Sequence, residues 1–239
     1  MPDWQAFLFV RPEKWMFFCG FNVTNIDKEC LNVLLFLRRV FMVTEMLKKQ
    51  YKPCEPIVLN DMKWLKQSPG ALRQAFKRMS DKGIVKRYMN GVYYFPDKGK
   101  IPSVDEVVKG MYIGNHKKTF GYYGGFFFGR QLEVTKKEDA YPIIVTNKEN
   151  SRGRYRTIAN KKVYLRKSYI PITKDNVGIV ALLDFVREWE AYSELEETDT
   201  FKQVKAYLKE HSISKDELLN VAVYFPSRVS AMLVKHKLV

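Results

Sequence analysis

The chain has 239 residues, 46% of them hydrophobic and 14% aromatic, which is enough apolar material for a real core and excludes the disordered class. Lysine and arginine exceed aspartate and glutamate by 15, an excess that suits a polyanionic partner. No uninterrupted apolar run reaches the roughly 18 residues of a membrane span, and the first residues lack the charged-then-apolar order of a signal peptide.

The excess charge is clustered. Asp61 to Lys100 holds ten basic and three acidic residues, net +7, and Lys136 to Lys167 holds the same numbers. Asp184 to Asp199 holds seven acidic residues and one arginine, net −6. Cys19, Cys30 and Cys54 are odd in number, widely spaced and without a Cys-x-x-Cys pair, so reduced thiols in a cytoplasmic protein are expected. His116, His211 and His236 stand apart without metal-ligand spacing, so neither a metal nor a cofactor is expected.

Residues 1–41 carry Trp4, Phe7, Phe9, Trp15, Phe17, Phe18 and Phe21 with neither helical nor alternating spacing. They read either as an extension upstream of the native start or as a segment packing on the first helix. A well-formed domain starts at Met42. Val43, Met46 and Leu47 follow helical spacing within a first helix over Val43–Tyr51, which ends before Lys52-Pro53. A second helix is expected over Leu59–Leu65, with Lys66-Gln67 as the turn. Ser68 then suits an N-cap, with Pro69 behind it at the first helical position. Leu72, Ala75, Phe76 and Met79 recur at i, i+3, i+4 and i+7 and share one face. Gly70, Gln74, Lys77 and Asp81 fall opposite, with Arg73 and Arg78 on the flanks. Asp81-Lys82-Gly83 closes the helix. Two runs of β-formers, Ile84–Tyr88 and Val92–Phe95, flank Asn90-Gly91, a strong hairpin signal because both turn residues can take positive φ.

This order of elements, residues 42–97, is that of a winged helix-turn-helix. The exposed face of its last helix offers guanidinium, ammonium and carboxamide groups, the side chains that pair with base edges. Its N-terminal end is small through Ser68, Gly70 and Ala71, and can approach a major groove closely. Lys86 and Arg87 on the hairpin are placed to touch phosphate. The DNA-binding candidates are therefore Ser68, Gly70, Arg73, Gln74, Lys77, Arg78, Lys86, Arg87 and Asn90.

A polar linker, Asp97–Pro102, leads to a helix that Ser103 and Glu106 open with a capping box. Thr119–Leu132 (TFGYYGGFFFGRQL) reads as a glycine- and aromatic-rich loop entering a helix at Gly124-Gly125. No phosphate-loop pattern follows, so close backbone packing is the expected use of the glycines. Tyr141–Thr146 is a buried-type strand. Arg154–Ile158 and Lys162–Arg166 flank Ala159-Asn160-Lys161 as a second hairpin, with one positive, solvated face. Arg152, Arg154, Arg156, Lys162 and Arg166 form a possible second basic surface, which could track a nucleic-acid backbone, meet an acidic partner or simply be hydrated. Asn176–Glu190 is apolar almost all round and reads as a buried helix. Short amphipathic helices finish the chain. The expected fold class is α+β: a winged helix-turn-helix, then a mixed α/β domain over residues 98–239 with a buried helix and short terminal helices.

From Met42 onward the chain resembles the AbiEi-type antitoxin family of bacterial type IV toxin–antitoxin systems. The stretches that carry the resemblance are EPIVLNDM, LRQAFKRMSDKGIVKRYMNGVYYFP, GYYGGFFFGRQLEVT, YPIIVTNKENSRGRYRTI, VYLRKS and NVGIVALLDFV. The resemblance implies a non-enzymatic protein with two roles. Its winged helix would bind double-stranded DNA at inverted repeats in its own promoter and repress it. Its C-terminal domain would counter a nucleotidyltransferase toxin from the same operon. A short winged helix needs two half-sites, so a dimer on DNA is a reasonable expectation.

Two other readings compete with it. A protein-interaction module would use the acidic segment Asp184–Asp199 against the basic hairpin. A Mg²⁺-dependent nuclease would need Asp139 with Thr146-Asn147-Lys148, where Thr146 stands in place of the required glutamate.

Overall fold

The computed structural model describes residues 42–115 and 117–239. The expectations for residues 1–41, and for His116, lie outside the described residues. The described residues form a mixed α+β protein. Among them no helix is long and apolar enough to cross a membrane. Contacts divide the chain into two units: residues 42–55 belong with Leu59–Lys100, and Pro56–Val58 with Ile101–Val239.

In the first unit, residues 42–48 are helical (α1) and bury Val43 and Leu47. Leu59–Leu65 is helical over the expected bounds, wound as a 3-10 helix that kinks at Met62 (φ −85°, ψ 16°) while keeping that side chain buried. Lys66 in the left-handed region (φ 51°) turns the chain into α2, Pro69–Asp81. The hairpin follows as β1, Lys86–Met89, and β2, Val92–Tyr94, paired antiparallel with an irregularity between Arg87 and Met89. Gly91 takes φ 77°, whereas Asn90 is not left-handed, so only one of the two turn residues uses positive φ. The core of this unit includes Leu47, Met62, Phe76, Met79 and Val85. The rings of Phe76 and Tyr93 lie 4.9 Å apart and tie α2 to the hairpin. The Leu59 N–H donates to the Gly91 carbonyl at 2.9 Å, which holds the turn against the start of the 3-10 helix.

The second unit starts with the two-residue strand Ile57–Val58 and, after Lys100, the helix α3, Val104–Tyr112. Both halves of the Ser103–Glu106 capping box are made. Its sheet contains β3 (Gly121–Tyr123), β4 (Ile143–Thr146), β5 (Arg154–Ile158) and β6 (Lys161–Lys167), in the order β3-β4-β6-β5. The pair β4–β6 is parallel and the other two are antiparallel. The helix α4, Gly125–Gln131, follows β3, a strand the sequence reading treated as loop. Gly125 has φ 61°, and a Cβ there would meet the Asp139 carboxylate at 2.7 Å, so conformation and close packing both favour glycine at Gly125, whereas a Cβ on Gly124 would meet its nearest atoms at an ordinary 3.7 Å.

The helix α5, Val177–Arg187, buries every residue from Ile179 to Val186. It forms the centre of a core shared with Tyr122 and Val145 of the sheet. The one-turn helix α6 (Trp189–Tyr192) follows, then α7 (Glu197–Glu210), α8 (Lys215–Ala222) and α9 (Ser227–Lys235), which bring Phe201, Val204, Leu218, Val229 and Leu233 into that core.

Candidate nucleic-acid interface

The sequence of α2 sets its two faces. At 100° per residue, Leu72, Ala75, Phe76 and Met79 fall within one arc and are buried. Gly70, Arg73, Gln74, Lys77 and Arg78 fall on the opposite arc and all five are exposed. Ser68 has the extended backbone of an N-cap (φ −65°, ψ 149°), and its hydroxyl accepts from the Ala71 N–H at 3.2 Å. No acidic residue occupies the first turn, so the partial positive charge of the helix start is left uncompensated by the chain. Among the described residues, Arg73 and Lys77 make no ion pair. Arg73, Gln74 and Lys77 therefore present two cations and a carboxamide on this face with no ion pair among the described residues.

Lys86, Arg87 and Asn90 are exposed on the hairpin. The Arg87 guanidinium donates to the Asn90 side-chain oxygen at 3.2 Å, across the turn. Asn90 thus holds Arg87 at the hairpin tip while its neighbour Gly91 supplies the left-handed residue.

The second basic surface is only partly a surface. Arg152, Arg156 and Lys162 are exposed. Arg154 is exposed too, but its Nε donates at 2.6 Å to Glu149, a buried carboxylate that also accepts from the Asn150 and Ser151 N–H groups and the Ser151 hydroxyl. Burial alone would raise the Glu149 pKa; these donors outweigh it and hold the carboxyl below its ordinary value. Arg166 is a correction to the sequence reading. Its side chain is 12% exposed and points inward to Asp184 and Glu188 of the α5 end. Alternation along β6 put it on the polar face, but at the Arg166 end that face meets α5, so its charge is spent inside the protein.

The acidic segment is likewise spent internally. Asp184 and Glu188 pair with Arg166 and Arg187, Glu190 with Arg228, Glu194 with Lys137, Glu197 with Lys235 and His236, and Asp199 with Lys202. Glu194 also accepts from the Lys136 N–H and the Thr135 hydroxyl, which pull its pKa down to about 2. Of the seven acidic residues only Glu196 has no ion pair among the described residues, so the belt offers a partner little uncompensated charge.

Asp139 accepts from the backbone at the start of α4, including the Phe127 N–H at 3.3 Å. Burial raises its pKa, and those backbone donors oppose the rise. Thr146 is buried and its hydroxyl donates to the Phe120 carbonyl. The two side chains thus have separate structural partners. Among the described residues, no three His, Cys, Asp or Glu side chains are grouped to hold a metal ion. Tyr141 and Tyr155, two exposed rings beside Lys162, have no role in the expected site; period-two register across the second hairpin is a signal for Tyr155, but Tyr141 lies outside those strands. No family model matches the chain, and no curated protein does.

Proposed function

We propose that the first unit is a winged helix-turn-helix that binds duplex DNA, with α2 in the major groove and the β1–β2 hairpin as its wing. Arg73, Gln74 and Lys77 face the bases, Ser68 and Gly70 allow close approach, and Arg78, Lys86, Arg87 and Asn90 meet the backbone. The observation that carries this reading is the exposed face of α2, where Arg73 and Lys77 have no ion pair among the described residues and lie opposite a buried apolar stripe. Extended by the resemblance to AbiEi-type antitoxins, the protein is a cytoplasmic autorepressor. It binds inverted repeats in its own promoter as a dimer on DNA, and its second unit counters a nucleotidyltransferase toxin.

The test is binding to the upstream region of its own gene across a salt series. Log affinity falls linearly with log salt, with a slope of about 0.9 per phosphate contacted. Arg73→Ala and Gln74→Ala each cost about 1–3 kcal/mol and relax sequence preference, while Lys86→Ala weakens all sequences alike. Unchanged operator affinity in both the Arg73 and Gln74 variants defeats the assignment of α2. Failure to relieve growth arrest by a co-encoded nucleotidyltransferase, with DNA binding intact, defeats the antitoxin half alone.

A further inference from the structure

The strand β5 is the outer strand of the second unit's sheet. Its register sets Tyr155 opposite Tyr164 and Thr157 opposite Lys162, so these four residues share one face. Tyr155 is 57% exposed and Tyr141, from the loop before β4, is 40% exposed. Their ring centroids lie 5.8 Å apart at an interplanar angle of 80°, and Tyr155 backs onto Tyr164 at 4.9 Å. Lys162 Nζ sits 4.6 Å from the Tyr141 centroid and 4.4 Å from the Tyr155 centroid. Aromatic surface and an ammonium group are therefore presented together at a sheet edge.

Part of the charge around them has no carboxylate partner among the described residues. Nearby cations that serve the structure have carboxylates: Arg154 has Glu149, Lys161 has Asp105, and Arg166 has Asp184. Arg152, Arg156 and Lys162 have none among the described residues. Arg152 lies in the preceding loop and Arg156 on the other face of the same outer strand. A polyanion from outside would satisfy all three. The rings narrow the choice. A duplex hides the faces of its bases and an acidic peptide has none, whereas an unpaired nucleotide offers both a π-face and a phosphate.

We propose that Tyr141, Tyr155 and Lys162 form a stacking site for an unpaired nucleotide, through which the second unit takes single-stranded nucleic acid. Arg152 and Arg156 supply further positive charge beside it. The site is independent of the duplex-binding face of α2.

The test is fluorescence anisotropy of the full chain with a labelled oligothymidylate and with an abasic strand of equal length and charge. The base-bearing strand binds about tenfold tighter. Tyr155→Ala and Tyr141→Ala each reduce it toward the abasic value, Tyr155→Phe keeps the preference, and Lys162→Gln weakens binding and flattens its salt dependence. Circular dichroism melting checks each fold, and Tyr141, outside the strands, serves should Tyr155→Ala unfold. Arg73→Ala leaves the preference for the base-bearing strand intact, which separates this site from the duplex reading. Equal affinity for the two strands, or an unchanged preference in both folded alanine variants, overturns the proposal. So does displacement of the oligonucleotide by a polyglutamate peptide at lower concentration than by unlabelled strand, which assigns the surface to an acidic protein.

Discussion

Arg166 and Asp184 are joined by two hydrogen bonds, 2.7 and 2.6 Å, from one guanidinium nitrogen to both carboxylate oxygens. A second nitrogen of Arg166 donates to Glu188 at 2.8 Å, and Arg187 reaches Asp184 from the same helix. Burial alone would lower the Arg166 pKa, but the Asp184 and Glu188 carboxylates outweigh it and hold the guanidinium charged. Arg166→Ala takes one of two guanidinium partners from the buried Asp184 and leaves it Arg187, so it destabilises by less than the roughly 3–5 kcal/mol of a wholly uncompensated buried charge, read from urea unfolding. Replacing Arg166 and Asp184 together by apolar residues costs much less. Because its charge is committed to these partners, the folded Arg166 variant retains duplex affinity, unlike Arg73→Ala.

Ser68 separates folding from binding at the start of α2. Its hydroxyl caps the Ala71 N–H, so Ser68→Ala lowers stability by about 1 kcal/mol. Ser68→Asp keeps a capping oxygen and complements the helix dipole, so thermal melting is expected to remain near that of the wild type. The same aspartate places a negative charge where phosphate would approach, and duplex affinity falls. A drop in affinity for the alanine variant alone would place the effect in helix stability.

Gly91 tests the hairpin. Its φ of 77° is the left-handed region, and an added Cβ would meet nothing within 4 Å. The penalty of Gly91→Ala is therefore conformational, about 1 kcal/mol. It loosens the tip that Arg87 and Asn90 hold together. Unfolding measurements give the stability change. Duplex affinity falls equally for all sequences if the hairpin meets only phosphate.

These residues show what could be read from the chain. Period and caps made α2 legible, because Leu72, Ala75, Phe76 and Met79 obey one spacing and Ser68-Pro69 marks its start. The Leu59–Leu65 segment was harder. Its length fits an α-helix, but the tighter 3-10 winding with a kink at Met62 depends on packing that no local pattern encodes. Asn90-Gly91 announced a turn without revealing that Gly91 alone would take positive φ. Arg166 shows the limit most clearly. Alternation along β6 predicts which residues share a face but not that α5 covers its Arg166 end and leaves Lys162 exposed. The Tyr141–Tyr155 contact joins two separate parts of the second unit, and only the fold brings them together.

Two groups contribute to opposite pH limits on stability. The backbone N–H of Lys136, then the Thr135 hydroxyl, lowers the Glu194 pKa from 4.5 to about 2. A depressed carboxylate pKa favours the folded state above the unfolded pKa, and that contribution disappears as pH falls from roughly 4.5 through the folded value. Burial, then the Asp61 and Glu55 charges, raises the Tyr51 pKa from 10.0 to about 12. The unfolded phenol ionises first, so the Tyr51 contribution is complete below pH 10 and is lost as pH rises toward 12. Urea midpoints across pH are thus expected to decline on both sides of neutrality. Glu194→Gln reduces the steepness of the acid limb and Tyr51→Phe that of the alkaline limb, each leaving the other limb unchanged. An acid limb of the same slope in Glu194→Gln would assign the acid loss to other depressed carboxylates, Glu149, Glu197 and Glu217.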